Sequence, residues 1–281
     1  MNIIVIPVYN DWKSINHLLS KINRMLKFGN LVKILIINDC STQKVNINKK
    51  NIKNIKEIKI LSLKKNVGSQ KSIAIGLNYL KKLKKDFYIT VMDGDGEDNP
   101  LEIKKMLSKA KKNLNFIITS HRKKRNENFI IKFGYKIHLI ISFLLTWNWI
   151  SFGNFSCFHS SNLKKLLVNN NIWYAYSAGV IKNCKIKKLY ATRQKRYFET
   201  SKVNFFKLIE HSLRIMGVFY QRVLISSFFF IYLISILFSQ FDLILYTLII
   251  LINLIVLAVK VKNYLRLPLN YKDFLKNLKK I

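Results

Sequence analysis

Acidic residues are scarce in this chain. Fourteen Asp and Glu stand against 49 Lys and Arg, a formal net charge of +35 over 281 residues. Cysteine is scarcer still: Cys40, Cys157 and Cys184 are odd in number, far apart and outside any CxxC or Cys/His spacing. A disulfide framework is thereby excluded, and free thiols in a reducing compartment are expected. The opening "MNIIVIPVYND" has neither a basic leader nor a cleavage site, and its apolar run stops at Pro7, so no secretory signal peptide is expected. A basic-aromatic nucleic-acid module is also lacking, and the Lys content goes with a general preference for Lys, Asn and Ile. Nucleic acid is therefore not expected as a partner. The charge favours other anions: lipid headgroups, phosphates, nucleotides. Half of the residues are apolar, too many for a disordered chain. The length suits one sizeable domain with an appendage.

Charge is almost missing from one long stretch. Between Arg222 and Lys260 the only charged residue is Asp242. A single helix there would reach ~55 Å, well beyond a hydrocarbon core of ~30 Å. Two spans, about Val223–Phe241 and Leu243–Val259, fit instead, joined by "SQFD". Arg214 and Arg222 precede them, and Lys260, Lys262 and Arg266 follow, so the positive-inside rule places both ends on the cytoplasmic side. Upstream, Val203–Arg222 reads as an amphipathic juxtamembrane helix. "IHLIISFLLTWNWISF" (Ile137–Phe152) is too short to span and reads either as a helix in the membrane interface or as an ordinary core helix.

Before these segments, apolar β-branched runs alternate with helical periodicity. Asn2–Ile6, Lys33–Asn38, Ile58–Leu63, Phe87–Met92 and Asn115–Thr119 read as strands. Ile15, Leu18, Leu19, Ile22, Met25 and Leu26 fall on one helical face, and Ile73, Leu77 and Leu80 on another. The alternation predicts an α/β domain with a mostly parallel, doubly wound sheet, whose ligands bind beyond the carboxyl ends of the strands. "PVYND", "NDCST", "KNVGSQK" and "DGDGED" all lie there.

The scarce acids gather in the last of these: Asp93, Asp95, Glu97 and Asp98 occupy six positions. Asp93 and Asp95, two apart after a buried strand, project to the same side. Gly94 and Gly96 permit a tight turn and a close ligand. Like charges held together call for a cation, and a hard ion such as Mg²⁺ or Mn²⁺, sharing its shell with substrate phosphates, fits. An EF-hand is excluded because its later ligands are missing. Asp98, Asn99 and Pro100 read as the start of the next helix. "PVYND" offers Tyr9 and backbone groups to a base or ribose, and "NDCST" offers the Asp39 carboxylate.

The chain resembles family 2 glycosyltransferases of the GT-A fold, and among them the polyprenyl-phosphate (dolichyl-phosphate mannose synthase-like) sugar transferases. "IPVYND" (Ile6–Asp11) stands for the family's "P.YNE", "NDCS" (Asn38–Ser41) for "DDGS", and "NVGSQKSIAIG" (Asn66–Gly76) for "N.G...A...G". "MDGDGEDNPLE" (Met92–Glu102) stands for the metal motif "MDADLQDPPE", "SHR" (Ser120–Arg122) for "GSR", and "RYFETSK" (Arg196–Lys202) for "R..G.SK". Asn38, Cys40 and Glu199 depart from the pattern, and "FGNFSCFHSS" (Phe152–Ser161) lacks the acid and Arg of "D..CGFR". The His159 it carries reads as a packed or surface histidine before an acceptor contact.

The resemblance implies a GT-A domain over residues 1–202, a juxtamembrane helix over 203–222, a transmembrane hairpin over 223–259 and a basic cytoplasmic tail over 260–281. Pro7, Tyr9, Asp11, Asp39 and Asp93 would hold the nucleotide. Asp93, Asp95 and Glu97 would hold Mg²⁺ or Mn²⁺, with Asp93 and Asp95 as the catalytic carboxylates. Arg122, Lys132, Arg196, Ser201 and Lys202 would grip the acceptor phosphate. The implied reaction is inverting transfer of a hexose from a nucleotide diphosphate sugar to a lipid acceptor, most simply polyprenyl phosphate, on the cytoplasmic face of a bacterial inner membrane. Transfer to a hydroxyl of a lipid-linked saccharide, or a non-catalytic membrane-bound scaffold, are the alternatives. Self-association stays open.

Overall fold

The computed structural model describes residues 1–25, 32–48, 52–83, 85–122, 129–198, 205–237, 242–265 and 271–280. Strand and helix alternate from the start: β1 (Asn2–Val8), α1 (Trp12–Met25), β2 (Val32–Asn38), β3 (Glu57–Leu63), α2 (Ser69–Leu80), β4 (Tyr88–Val91), α3 (Glu102–Lys111), β5 (Phe116–Arg122) and α4 (Phe129–Thr146). After β6 (Phe152–His159) come three short helices, α5 (Leu163–Leu166), α6 (Asn171–Tyr174) and α7 (Tyr176–Asn183), and then β7 (Lys185–Ala191). The long helices α8 (Phe205–Val218), α9 (Tyr220–Leu237) and α10 (Asp242–Leu265) follow, and β8 (Leu275–Lys280) comes last.

The strands form one sheet in the order β7-β5-β6-β4-β1-β2-β3-β8. Among the described residues β6 and β8 run against their neighbours, and the other pairings are parallel. β1 is buried along its whole length because both faces of the sheet are covered. Its Ile3 and Val5 face the layer that contains α2, α6 and α7, while Ile4 and Ile6 face α1 and α3. Four side chains of α1, namely Ile15, Leu18, Leu19 and Ile22, are at most 1% exposed. Their burial contributes roughly 6–12 kcal/mol before chain entropy, so α1 is held by packing rather than by propensity.

The helical appendage packs against this domain with its polarity inverted. In α4 the buried face includes Ser142 and Thr146, while Ile140, Ile141, Phe143 and Leu144 are 43–45% exposed. A core helix would hide those four and expose the hydroxyls. Trp147, just past α4, donates from Nε1 to Ser226 Oγ of α9 at 2.8 Å, and Arg222 donates to Thr146 O at 3.2 Å. Asn253 of α10 donates to Ser227 Oγ of α9 at 2.8 Å. Two helices, Tyr220–Leu237 and Leu243–Leu265, are long and apolar enough to cross a membrane. The second runs past the expected end at Val259, carrying Lys260 and Lys262 in its last turns. The expected juxtamembrane helix stops at Val218, one residue short of α9.

The basic tail expected over 260–281 is instead tied to the domain. β8 pairs antiparallel with β3, Lys59 opposite Lys280 and Ser62 opposite Asn277, and Phe274 packs on Trp173 at 5.6 Å between ring centroids. Glu57, at the start of β3, joins three strands. It accepts from Lys33 of β2 at 2.6 Å, lies 3.2 Å from Lys280 of β8 and has Lys59 at 3.9 Å. The Lys33 hydrogen bond holds the Glu57 carboxyl below the usual range. A depressed folded pKa adds stability above the unfolded value and loses it as pH falls through the folded one. Glu57→Gln is therefore expected to cost about 1 kcal/mol at pH 7, with the difference from wild type fading as pH falls through the folded pKa of Glu57, as read by denaturation at each pH.

Candidate active site

The strand order β4-β1-β2-β3 places the turning point of the winding between β1 and β4, and the loops beyond these strands meet there. Asn10, in the left-handed region at φ 51°, accepts from the backbone N–H of Thr42 at 2.9 Å and of Gln43 at 3.2 Å, locking the first loop to the second. Asp11 Oδ1 accepts from Ser14 N–H at 3.1 Å and caps α1. Asp39 is 3% exposed, and its two oxygens accept from Val67 N–H and Gly68 N–H, each at 2.8 Å. Burial pushes its carboxyl up and those two bonds pull it back. Asp39 thus closes the second loop onto the amino end of α2, where the helix dipole favours a carboxylate.

The acidic loop begins where β4 ends. Asp98 Oδ2 accepts from Asp93 N–H at 2.9 Å, so Asp98 folds the loop back on itself, and Asn99 Oδ1 accepts from Leu101 N–H at 3.1 Å ahead of α3. Gly96 is required by its backbone, and Gly94 lies close under the tip of Ile15. A Cβ on Gly94 would come within 2.6 Å of Ile15 Cδ1, and one on Gly96, at φ +92°, within 2.5 Å of the Tyr197 ring. Burial, then the neighbouring Asp95, push the Asp93 carboxyl up to about 6; Asn154 and Arg196 oppose this. Burial raises Asp95 as well, with Arg196 opposing.

A strap from the segment after β7 crosses this loop. Tyr197 N–H donates to Asp95 O at 3.0 Å and Gln194 N–H to Glu97 O at 2.9 Å. Arg196 lies 3.0 Å from Asp95 Oδ2 and 3.5 Å from Glu97 Oε1, and Arg193 pairs with Glu97 Oε2. The strap is pinned to α1: Tyr197 packs on His17 at 4.5 Å between centroids, and Lys13 sits 4.2 Å over the Phe198 ring.

Beside the acidic loop opens a cavity of about 250 Å³. Asp93, Asn99, Asn154 and Ser177 line it together with His138 of α4 and His211 of α8. The cavity therefore runs from the ends of the strands to the helices with apolar outer faces. Burial, helped by Arg214, pushes the His211 imidazole down to about 4, so it is neutral at pH 7. His121 does not enter the cavity side of β5. Its ring nitrogens lie 3.0 Å from Thr119 Oγ1 and from Ser151 Oγ, and burial holds it neutral at about 4.

The structure brings Pro7, Asp11, Asp39, Asp93, Asp95, Glu97 and Arg196 to one edge, with Tyr9 48% exposed at its rim. Arg196 is turned onto Asp95. Ser201 and Lys202 lie outside the described residues, as do the side chains of Arg122 and Lys132. His159 sits at the opposite edge of the sheet, paired with Tyr88 at the start of β4 and 3.9 Å from Asp86, in the packed role expected first. Arg193, Gln70, Asn154, His138 and His211 went unread in the sequence. Gln70 carried a signal there, inside the strand-end segment "KNVGSQK", and Arg193 another, three residues before Arg196 in "TRQKRYF".

Asp93 and Asp95 suit a divalent cation: both carboxyls are raised by burial, and Asp93 further by its neighbour, which a cation between them would reverse. Glu97 is turned to the two arginines instead. No group of three or more His, Cys, Asp or Glu converges among the described residues, so the fit is to an ion that completes its shell with water and phosphate oxygens. Asp39→Asn, isosteric but with an NH₂ facing one of two buried N–H donors, is expected to cost about 1–3 kcal/mol, read as a lowered Tm of the full chain.

No curated protein sequence matches the chain. Among solved structures, glucosyl-3-phosphoglycerate synthase from Mycobacterium tuberculosis, in complex with Mn²⁺, UDP and phosphoglyceric acid, is 12% identical over 79% of this chain and 78% of that one, with a TM-score of 0.53. The same enzyme with Mg²⁺ and UDP is 11% identical over 79% of each, at 0.52. Residues 1–349 of TarS from S. aureus are 15% identical over 94% of this chain and 88% of that one, at 0.48. At these identities the likeness is one of fold. The family model described as glycosyl transferase family 2 matches residues 3–168, more than half of the chain, and the chain belongs to that family.

Proposed function

We propose that the protein transfers a hexose, with inversion, from a nucleotide diphosphate sugar to a lipid acceptor at the membrane surface, most simply polyprenyl phosphate. One observation carries the lipid part of this reading: the cavity beside Asp93 is lined in part by α4 and α8, and α4 shows its apolar face outward. The flanking Arg214, Arg222, Lys260 and Lys262, together with the return of β8 to the sheet, support a domain on the cytoplasmic side with both hairpin ends beside it.

Asp93 and Asp95 would hold Mg²⁺ or Mn²⁺, as in the relatives that carry these ions with UDP. Once bound, the cation supplies charge neutralisation to the departing nucleoside diphosphate. Arg193 and Arg196 lie close by, paired with Glu97 and Asp95. A guanidinium that exchanges its carboxylate partner for the phosphate oxygens of the donor would grip the diphosphate. Tyr9 and Asp11 border the nucleoside, and Asp39 shapes its floor by bracing the second loop. Asn154, Ser177 and Asn99 offer hydrogen bonds to sugar hydroxyls. The acceptor oxygen attacks the anomeric carbon from the face opposite the leaving group, forming one C–O bond as the bond to the diphosphate breaks. A phosphate acceptor is already ionised near neutral pH and needs no strong base.

A hydroxyl acceptor on a lipid-linked saccharide is the second reading, and the neutral His211 in the cavity favours it, because a hydroxyl nucleophile gives up a proton that a neutral imidazole can take. Purified full-length protein in lipid nanodiscs, with Mn²⁺, a panel of nucleotide sugars and polyprenyl phosphate, tests both. Sugar transfer that falls at least about 100-fold with Asp95→Ala is expected. Absence of nucleotide binding, with no change on Asp95→Ala, overturns the enzyme reading; transfer that survives phosphatase treatment of the lipid selects the hydroxyl acceptor.

A further inference from the structure

The hydrogen bonds behind Asp93 form a chain whose direction is fixed at its far end. Tyr176 N–H, in the first turn of α7, donates to Gln70 Oε1 at 2.7 Å. A backbone N–H can only donate, so the Gln70 oxygen must face it and Nε2 must face the other way. Nε2 donates to Asn154 Oδ1 at 3.0 Å, which leaves Asn154 Nδ2 to donate to Asp93 Oδ1 at 2.9 Å. The two ends of a side-chain amide are otherwise hard to tell apart, but here one main-chain donor decides every link.

We propose that Gln70 and Asn154 are positioning residues for Asp93: the chain presents an N–H, and never an oxygen, to Asp93 Oδ1, and so leaves Oδ2 as the oxygen offered to a ligand in the cavity. The backbone of Asp93 is fixed separately, by the bond from its N–H to Asp98. Side chain and main chain are thus held from opposite sides. Asn154 and Asp93 line the same cavity, and no other hydrogen bond to the Asp93 carboxylate is made among the described residues. Reversing the chain would set the Asn154 oxygen against a carboxylate oxygen at hydrogen-bond distance, in surroundings where repulsion is weakly screened. Gln70 joins α2 to the start of α7, and Asn154 sits near the start of β6, so three elements with separate packing converge on one carboxylate. Gln70 lies within "NVGSQK", the strand-end segment that otherwise supplies Val67 and Gly68 to Asp39. One short stretch of chain therefore sets two of the site's acids.

The inference rests on the reading that Asp93 serves a cation or donor. Gln70→Met, Asn154→Leu and the double variant, each in the full chain in nanodiscs, test it by titration with Mn²⁺ alone, followed by the EPR signal of the free ion. Because Gln70 acts only through Asn154, the losses should not multiply. Asn154→Leu is expected to weaken Mn²⁺ binding about tenfold, Gln70→Met somewhat less, and the double variant no more than about twofold beyond Asn154→Leu. A merely structural role predicts losses in Tm that add and an unchanged affinity for Mn²⁺. Wild-type affinity in Gln70→Met, or losses that multiply in the double variant, overturns the proposal. If the wild type binds no Mn²⁺, it is the cation reading that fails, and crystal structures of wild type and Gln70→Met decide the chain by themselves. The Asp93 carboxylate is expected to change rotamer in the variant, and its staying in the wild-type position overturns the proposal.

Discussion

Asp93 and Asp95 are held side by side at the end of a buried strand, and their mutual repulsion organises what surrounds them. Burial raises both carboxyls, and the surroundings answer with every donor within reach: an amide of Asn154, the backbone of the turn, and the guanidinium of Arg196. In a chain with 35 excess positive charges the arginines are easily supplied. What is costly is the acidic pair itself, which neither packing nor capping requires. Its retention among so few acids points to a partner with positive charge, and the arginines that cover it are then free to face phosphates. The same strap that shields the acids would become part of the grip on the donor.

The second constraint is the direction in which the site opens. Ligands of a doubly wound sheet lie beyond the carboxyl ends of its strands, and here the cavity at that edge is lined in part by α4 and α8. α4 buries Ser142 and Thr146 and turns Ile140, Ile141, Phe143 and Leu144 outward. That inversion makes sense where the outside is less polar than the inside. Under the proposed lipid-acceptor reading, the acceptor's apolar tail would follow that face while its polar head enters the cavity.

Much of the domain could be read from the sequence because burial on both faces writes itself as continuous apolar runs. The first five strands were found in this way, to within a few residues. β7 and β8 were not: "KIKKLYA" and "LKNLKK" carry the lysines that edge strands use against pairing, and they look like loop and tail. β6, with Gly153, Asn154 and Ser156 among its aromatics, has neither a clean alternation nor an apolar run. Asp93 and Asp95 were legible from their spacing. The bracing of Asp39 was not, since its partners are main-chain groups 28 and 29 residues away that carry no side-chain signature. Glu97 was expected on the cation, but its arginine partners arrive from a segment almost 100 residues later.

The pairing of β8 with β3 bears on the order of assembly. Translation delivers α9 and α10 before β8, so the sheet acquires its last strand only after both apolar helices have been synthesised. Until then β3 is an open edge beside the parallel core, a template for any stray strand. The six residues of β8 thus close the β3 edge only after both apolar helices have been made.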